Sequence, residues 1–331
     1  MTYIIAEAGV NHNGDITLAE KLIKVASDAG ADAIKFQAWK AENLVTNNAP
    51  LAIYQKQNTK GFSNQYEMLK QLELNEEDHI YLKSKCKAMN IEYLSSAFDL
   101  EGIEMLNRLG LKKLKIPSGE ITNLPFLKKA GYFDWDIILS TGMSDLKEIK
   151  DALYWLEHSG KKRTNISVLQ CTTQYPAPFD SINLSAMKTI SDAFNVKIGY
   201  SDHTIGITAP IAAVALGALI IEKHITLDRN LTGPDHKASL EPSELKLMVK
   251  GIRNTEAAIG NGLKIPNECE IANKAIARKS IVAKQNISKN DIFTEDNICT
   301  KRPGNGLSAM NWNEVIGKKS KKNYKTDDLI D

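Results

Sequence analysis

Cysteine is scarce in this 331-residue chain. The four present, Cys86, Cys171, Cys269 and Cys299, are too far apart for any metal or redox spacing. They need not pair, and reduced thiols in a cytoplasmic protein are the expectation. Long apolar runs are missing too: none approaches the ~20 residues of a membrane span. The Met-Thr-Tyr-Ile-Ile start lacks the basic region and apolar segment of a signal peptide. A formal net charge of +2 gives no electrostatic reason to expect nucleic acid or a membrane surface as partner. What is present is ordinary for a globular protein. With 43% hydrophobic and 25% charged residues, a full core can form. The length exceeds one average domain, although a barrel of about 250 residues would still be a single unit.

Eight short, β-branched apolar runs read as buried parallel strands, at residues 3–8, 33–36, 92–94, 113–116, 136–139, 166–169, 196–200 and 218–221. Helical patterns lie between most of them. Asp15 caps one whose apolar positions Leu18, Leu22, Val25, Ala26 and Ala29 recur at three and four, and Gly30 ends it. Residues 146–158 and 210–217 supply further helices. Pro242 opens a last one, with Leu245, Met248, Val249 and Ile252 on one face and Gly260 at its end. Alternation at this count predicts an α/β fold, a (β/α)8 TIM barrel. On pattern alone an open doubly wound sheet is the alternative. The helical period fails over 261–270, so the chain divides into a barrel at 1–262, a linker at 263–274 and a small β-rich module at 275–331.

In an eightfold barrel the C-terminal strand ends converge on one mouth, where the chemistry is carried. Glu7 ends the first run ahead of a Gly-rich polar loop. A carboxylate there could shuttle a proton or simply cap backbone amides. Lys35, with Gln37, sits in the second run and Lys115 in the fourth. A lysine within so apolar a strand is costly unless its ammonium meets an anion or snorkels to solvent. Ser118, Glu120, Ser140 and Ser201 close successive strands, and two lysines with several hydroxyls on one rim suit a phosphate or a phosphorylated carboxylic acid. His203 and His224 follow the seventh and eighth runs. Two imidazoles with open water positions suit Mn²⁺, Mg²⁺ or a similar divalent ion. Asp202, Glu222 and Asp235 lie nearby in sequence, and His12 also stands where it could face the mouth. Thr173, Tyr175 and Asp235, on the loops after the sixth and eighth strands, add polar reach suited to a polyhydroxylated ligand.

Ala-Glu-Ala-Gly-Val-Asn-His-Asn-Gly, Lys-Phe-Gln, Lys-Ile-Pro-Ser-Gly-Glu, Ser-Thr-Gly-Met, Tyr-Pro-Ala-Pro, Ser-Asp-His-Thr, Glu-Lys-His and Gly-Pro-Asp-His occur in this order. Together they resemble the bacterial sialic acid (nonulosonic acid) synthases, and the tail around Lys-Arg-Pro-Gly-Asn-Gly resembles their antifreeze-like (SAF) domain. The resemblance runs from about Tyr3 to about Lys318. It implies condensation of phosphoenolpyruvate with an N-acetylated mannose-type sugar, giving N-acetylneuraminate or N,N'-diacetyllegionaminate plus phosphate. It further implies that Lys35, Lys115, Ser118, Ser140 and Ser201 bind phosphoenolpyruvate, joined by Thr173 where one branch has Asn. His203 and His224 would ligate the metal, while Glu7, Glu120, Tyr175 and Asp235 hold or activate the sugar. Finally, it implies a domain-swapped homodimer in which Arg302 contacts the acetamido group in its partner's barrel. Pseudaminate synthesis, or a non-catalytic carbohydrate-binding role, are the alternatives.

Overall fold

The computed structural model describes residues 1–59 and 61–331, which form two compact units, Met1–Gly260 and Asn261–Asp331. In the first, eight strands pair in chain order and close on themselves. They are β1 (Tyr3–Gly9), β2 (Ala33–Ala38), β3 (Glu92–Ala97), β4 (Lys113–Ile116), β5 (Asp136–Ser140), β6 (Ile166–Cys171), β7 (Lys197–Asp202) and β8 (Ile220–His224). Every neighbouring pair is parallel, including β8 with β1. The barrel expected from strand–helix alternation is the fold, and an open sheet is excluded.

Parallel strands covered on both faces must be apolar on both. Outward residues such as Ile4, Ile34, Leu114, Ile137, Val168 and Ile221 join helix residues such as Leu22, Leu153 and Met248 in the main core. A separate cluster of Ile5, Ala33, Leu94, Ile138, Leu169 and Ile220 plugs the barrel interior. At the matching place on β7 stands Gly199. A Cβ there would lie 2.5 Å from Leu169 Cδ2 and from the Ile220 carbonyl oxygen. Side chains alternate with a period of two, so the next inward layer comes two residues later. There the sequence changes character: Glu7, Lys35, Ser96, Ser140, Cys171, Ser201 and Glu222, with Lys115 from β4. The apolar plug is the floor, and the polar layer above it is where chemistry can happen.

The helix α1 (Ile16–Ala29) begins where Asp15 accepts from the Thr17 amide at 2.7 Å and ends at Gly30, whose φ is 80°. Between β2 and β3 the chain makes three short helices that the sequence pattern does not predict: α2 (Ala41–Leu44), α3 (Ile53–Asn58) and α4 (Gln65–Leu72). Apolar residues of α2 and α4 join Val10, Trp39 and Phe98 in a cluster of their own, apart from the barrel core. The last barrel helix, Pro242–Ile259, buries Leu245, Met248, Val249 and Ile252, as its periodicity requires. Among the described residues no helix is long and apolar enough to cross a membrane.

In the second unit a helix at Glu268–Ala277 extends into the stretch read as linker. The Glu270 carboxylate accepts from the Asn267 amide at its start, and none of its residues is buried. Two antiparallel strands, β9 (Ser280–Ala283) and β10 (Ile298–Lys301), follow. Ile281, Ile287, Phe293, Ile298, Val315, Tyr324 and Ile330 form this unit's own small core.

Three histidines are built into the barrel away from the polar floor. His12 accepts from the Gly14 amide at 3.0 Å, with its ring 6.2 Å from that of Phe36. His79 meets the Tyr93 hydroxyl at 2.5 Å, and His236 meets the Thr226 hydroxyl at 2.7 Å. Burial lowers the pKa of each to about 4. Unfolded, these side chains would protonate near pH 6.5, so between pH 6.5 and 4 the unfolded chain binds protons that the folded chain refuses. Stability is therefore full above that window and falls as pH drops through it, by about 2 kcal/mol per histidine at pH 5. The urea midpoint should be markedly lower at pH 5 than at pH 7.5; equal midpoints would contradict the assignment.

Candidate active site

A cavity of about 350 Å³ opens above the polar layer, lined by residues from the C-terminal ends of the strands and the loops beyond them. At its base the Lys35 ammonium lies 2.7 Å from Glu222 Oε2 and 3.1 Å from Glu7 Oε2. Lys115 approaches Glu222 Oε1 at 3.3 Å, and the Ser201 hydroxyl donates to that same oxygen at 2.9 Å. Both lysines and both carboxylates are buried. This answers how an apolar barrel tolerates two ammonium groups: each meets a carboxylate supplied by another strand. Burial disfavours charge on all four groups. For Glu222 the two lysines outweigh that penalty, and for Glu7 His224 and the lysines do so, leaving both carboxyls below their usual range. Lys35 is held above its usual value because Glu222 and Glu7 overcome burial, whereas burial prevails at Lys115 and lowers it.

Hydroxyl groups complete the base. Ser118 Oγ accepts from the Gly142 amide at 2.9 Å, which leaves its own proton free for another acceptor. Ser140 Oγ is buried with no protein partner among the described residues. An unpaired buried hydroxyl is costly unless something else satisfies it. Two ammonium groups and two available hydroxyls around one void suit an anion with many oxygen atoms.

The imidazoles line the same void, His224 beside Glu7 of the base. His224 is the last residue of β8 and pairs in register with Glu7 of β1, while His203 comes directly after β7. Their ring centroids are 5.4 Å apart. His203 Nδ1 donates to the Thr172 carbonyl at 2.7 Å, which in the neutral ring leaves the Nε2 lone pair free. His224 Nε2 lies 3.4 Å from Glu7 Oε2; its Nδ1 is 3.9 Å from Asp235 Oδ2 and buried without a hydrogen-bond partner among the described residues. Gly9 makes room for this ring. Its φ is 52°, at an irregularity in the β1–β2 pairing, and a Cβ there would meet the imidazole at 3.2 Å. Among the described residues no group of three His, Cys, Asp or Glu side chains could hold an ion alone. The donor set is a pair of imidazoles with carboxylates alongside, which suits a divalent ion completed by water or substrate.

The other barrel residues singled out from the sequence also line this cavity, with two exceptions, Asp202 and His12. Gln37 Nε2 donates to Glu7 Oε1 at 3.0 Å. Glu120 and Asp235 are buried, and burial raises the pKa of both. Thr173 lines the wall, and the Tyr175 ring packs 4.0 Å from that of His203. Arg302 is exposed and belongs to the second unit, directly after β10. Asp202 is buried against Lys223 at 2.6 Å and accepts from the Tyr200 hydroxyl, so its charge is spent on structure. Glu222 turns out to be the centre of the floor, although the sequence shows it only as an acidic neighbour of His224. Tyr54 of α3, stacked 5.1 Å from Tyr175, has no sequence signal at all.

Residues 22–264 match the model of the NeuB family, and residues 278–331 that of the SAF domain. The chain belongs to the NeuB family. An N,N'-diacetyllegionaminic acid synthase of Campylobacter jejuni is 55% identical, over 99% of this chain and 98% of its own. A second N,N'-diacetyllegionaminic acid synthase, from Legionella pneumophila, is 44% identical over 95% of this chain and 89% of its own. Among solved structures, the N-acetylneuraminic acid synthetase of Leptospira borgpetersenii in complex with citrate superposes with a TM-score of 0.73 at 35% identity. That match covers 82% of this chain and 90% of the other. This NeuB protein thus shares both architecture and nearly its full length with sugar-acid synthases.

Proposed function

We propose that the barrel mouth condenses phosphoenolpyruvate with an N-acetylated mannose-type sugar, releasing phosphate and forming a nine-carbon 2-keto acid. The acceptor we favour is the 2,4-diacetamido-2,4,6-trideoxy sugar, giving N,N'-diacetyllegionaminate, because the 55% identical relative bears that activity in its name. The observation that carries the reading is the base of the cavity, where Lys35 and Lys115 meet around Glu222 beside available serine hydroxyls. A trianionic donor lies there with its phosphate toward the ammonium groups. They hold the phosphate as the C–O bond breaks. Carbon 3 of the donor forms the new bond to the sugar's aldehyde carbon, and water adds at carbon 2 before phosphate departs.

Glu120 and Asp235, whose burial favours the protonated carboxyl, are placed to exchange protons with sugar oxygens. Tyr175 packs over the His203 ring and shields that side from solvent. His203 Nε2 and His224 would hold a divalent ion, Mn²⁺ or Mg²⁺, which when bound supplies a Lewis acid for the aldehyde oxygen. We further propose a homodimer in which the partner's Arg302 serves the acetamido group, with the protein working in the cytoplasm.

The test is phosphate release with phosphoenolpyruvate and each candidate sugar, the product being identified by mass. A nine-carbon keto acid should form, stop with chelator and resume with Mn²⁺. Undiminished turnover in chelator would refute the metal, and no keto acid with any acceptor would refute the reaction.

A further inference from the structure

The cavity is two-faced. Besides the charged base, its lining includes an apolar stretch of wall: Leu44 and Val45 at the end of α2, Met68, Leu69 and Leu72 of α4, and Phe98 beyond β3. All but Val45 belong to the apolar cluster of the β2–β3 insertion, separate from the barrel core. The insertion is tied to the loops that follow β6 and β8. Asn58 Nδ2 donates to the Pro234 carbonyl at 2.9 Å, the Gly233 amide donates to the Asn58 carbonyl at 3.3 Å, and Tyr54 stacks on Tyr175. Two glutamines also line the cavity, but each has one amide atom committed to the insertion's own backbone. Gln55 Oε1 accepts from the Ala52 amide at 2.8 Å, and Gln65 Nε2 donates to the Pro50 carbonyl at 2.9 Å.

Resting on the synthase reading above, we infer that this wall determines the acceptor: Leu44, Val45 and Leu69 select a sugar whose far end carries methyl groups. The diacetamido-trideoxy sugar presents a methyl at carbon 6 and an acetamido methyl at carbon 4, where N-acetylmannosamine presents hydroxyls. A methyl on the wall gains apolar burial. A hydroxyl pressed on the same surface loses water without gaining a partner. An apolar surface rejects an added hydroxyl only moderately, by about 10- to 100-fold. The three side chains are half-buried at the cavity rather than locked in the core, so they can be changed without emptying it.

The experiment compares kcat/KM for the two sugars in the full-length protein and in the variants Val45→Thr and Leu69→Asn, with the KM for phosphoenolpyruvate as control. The unaltered protein should favour the deoxy sugar by at least about tenfold. Each variant should narrow that ratio about five- to tenfold at constant donor KM. A ratio that stays put, or efficiencies that fall equally for both sugars, overturns the role of the wall while leaving the synthase reading intact. No keto acid from either sugar overturns the synthase reading, and the wall with it. Should Leu69→Asn fail to fold, Val45→Thr keeps the side-chain shape and decides the matter alone.

Discussion

His224→Ala should lower turnover by at least about a thousandfold while the protein keeps its fold. Polarising an aldehyde through a metal is worth several kcal/mol in the transition state, and about 4 kcal/mol corresponds to that factor. Retention of the fold follows from the surroundings of the ring. Its Nδ1 already lacks a hydrogen-bond partner among the described residues, and Glu7 keeps Lys35 at 3.1 Å when the imidazole is gone. Single-turnover phosphate release with saturating Mn²⁺, read beside a thermal melt, checks both halves. Near-normal turnover in a folded variant would remove the metal from the mechanism.

Glu222→Gln should have the largest effect on stability. It keeps the shape but takes away the charge that faces both Lys35 and Lys115. The two buried ammonium groups are then left with Glu7 as their remaining carboxylate in the floor. Breaking a buried pair by neutralising one member typically costs about 3–5 kcal/mol, which for a unit of this size lowers Tm by about 10 °C. Phosphoenolpyruvate should restore much of the loss, because the ligand brings the negative charge that the variant lacks. A melting temperature that does not move, or a variant indifferent to phosphoenolpyruvate, would show that the floor is not balanced by Glu222.

The barrel was legible because its plug and outer core are apolar, and apolar runs are what a single sequence displays most clearly. The same property hid where the strands stop. The eighth run ends in sequence at 221, but β8 continues through Glu222 and Lys223 to His224. β2 likewise runs to Ala38 and β7 to Asp202. Gln37, Ser201, Glu222 and His224 in these extensions face the cavity and are polar, so hydropathy alone ends the strand at the edge of its chemistry. Lys35 and Lys115 stood out as charges inside apolar runs. Glu222 did not, since it lies next to Lys223 and reads as an ordinary charged neighbour. Yet Lys223 points the other way, to Asp202, and only the period-two alternation within a known strand separates the two. The insertion helices were illegible for another reason. They are four to eight residues long, too short for a helical period, and α2 and α4 are held by a cluster assembled from distant parts of the chain. The helix at Glu268–Ala277 escaped notice because no face of it is buried within its own unit.

Because the two ammonium groups at the base of the barrel are already matched by Glu7 and Glu222, the resting cavity has little field to project into solvent. Passing polyanions feel no long-range pull, and the donor's encounter rate should be ordinary and only weakly dependent on ionic strength. Discrimination therefore begins at contact, when an arriving anion must outcompete the protein's own carboxylates for the lysines.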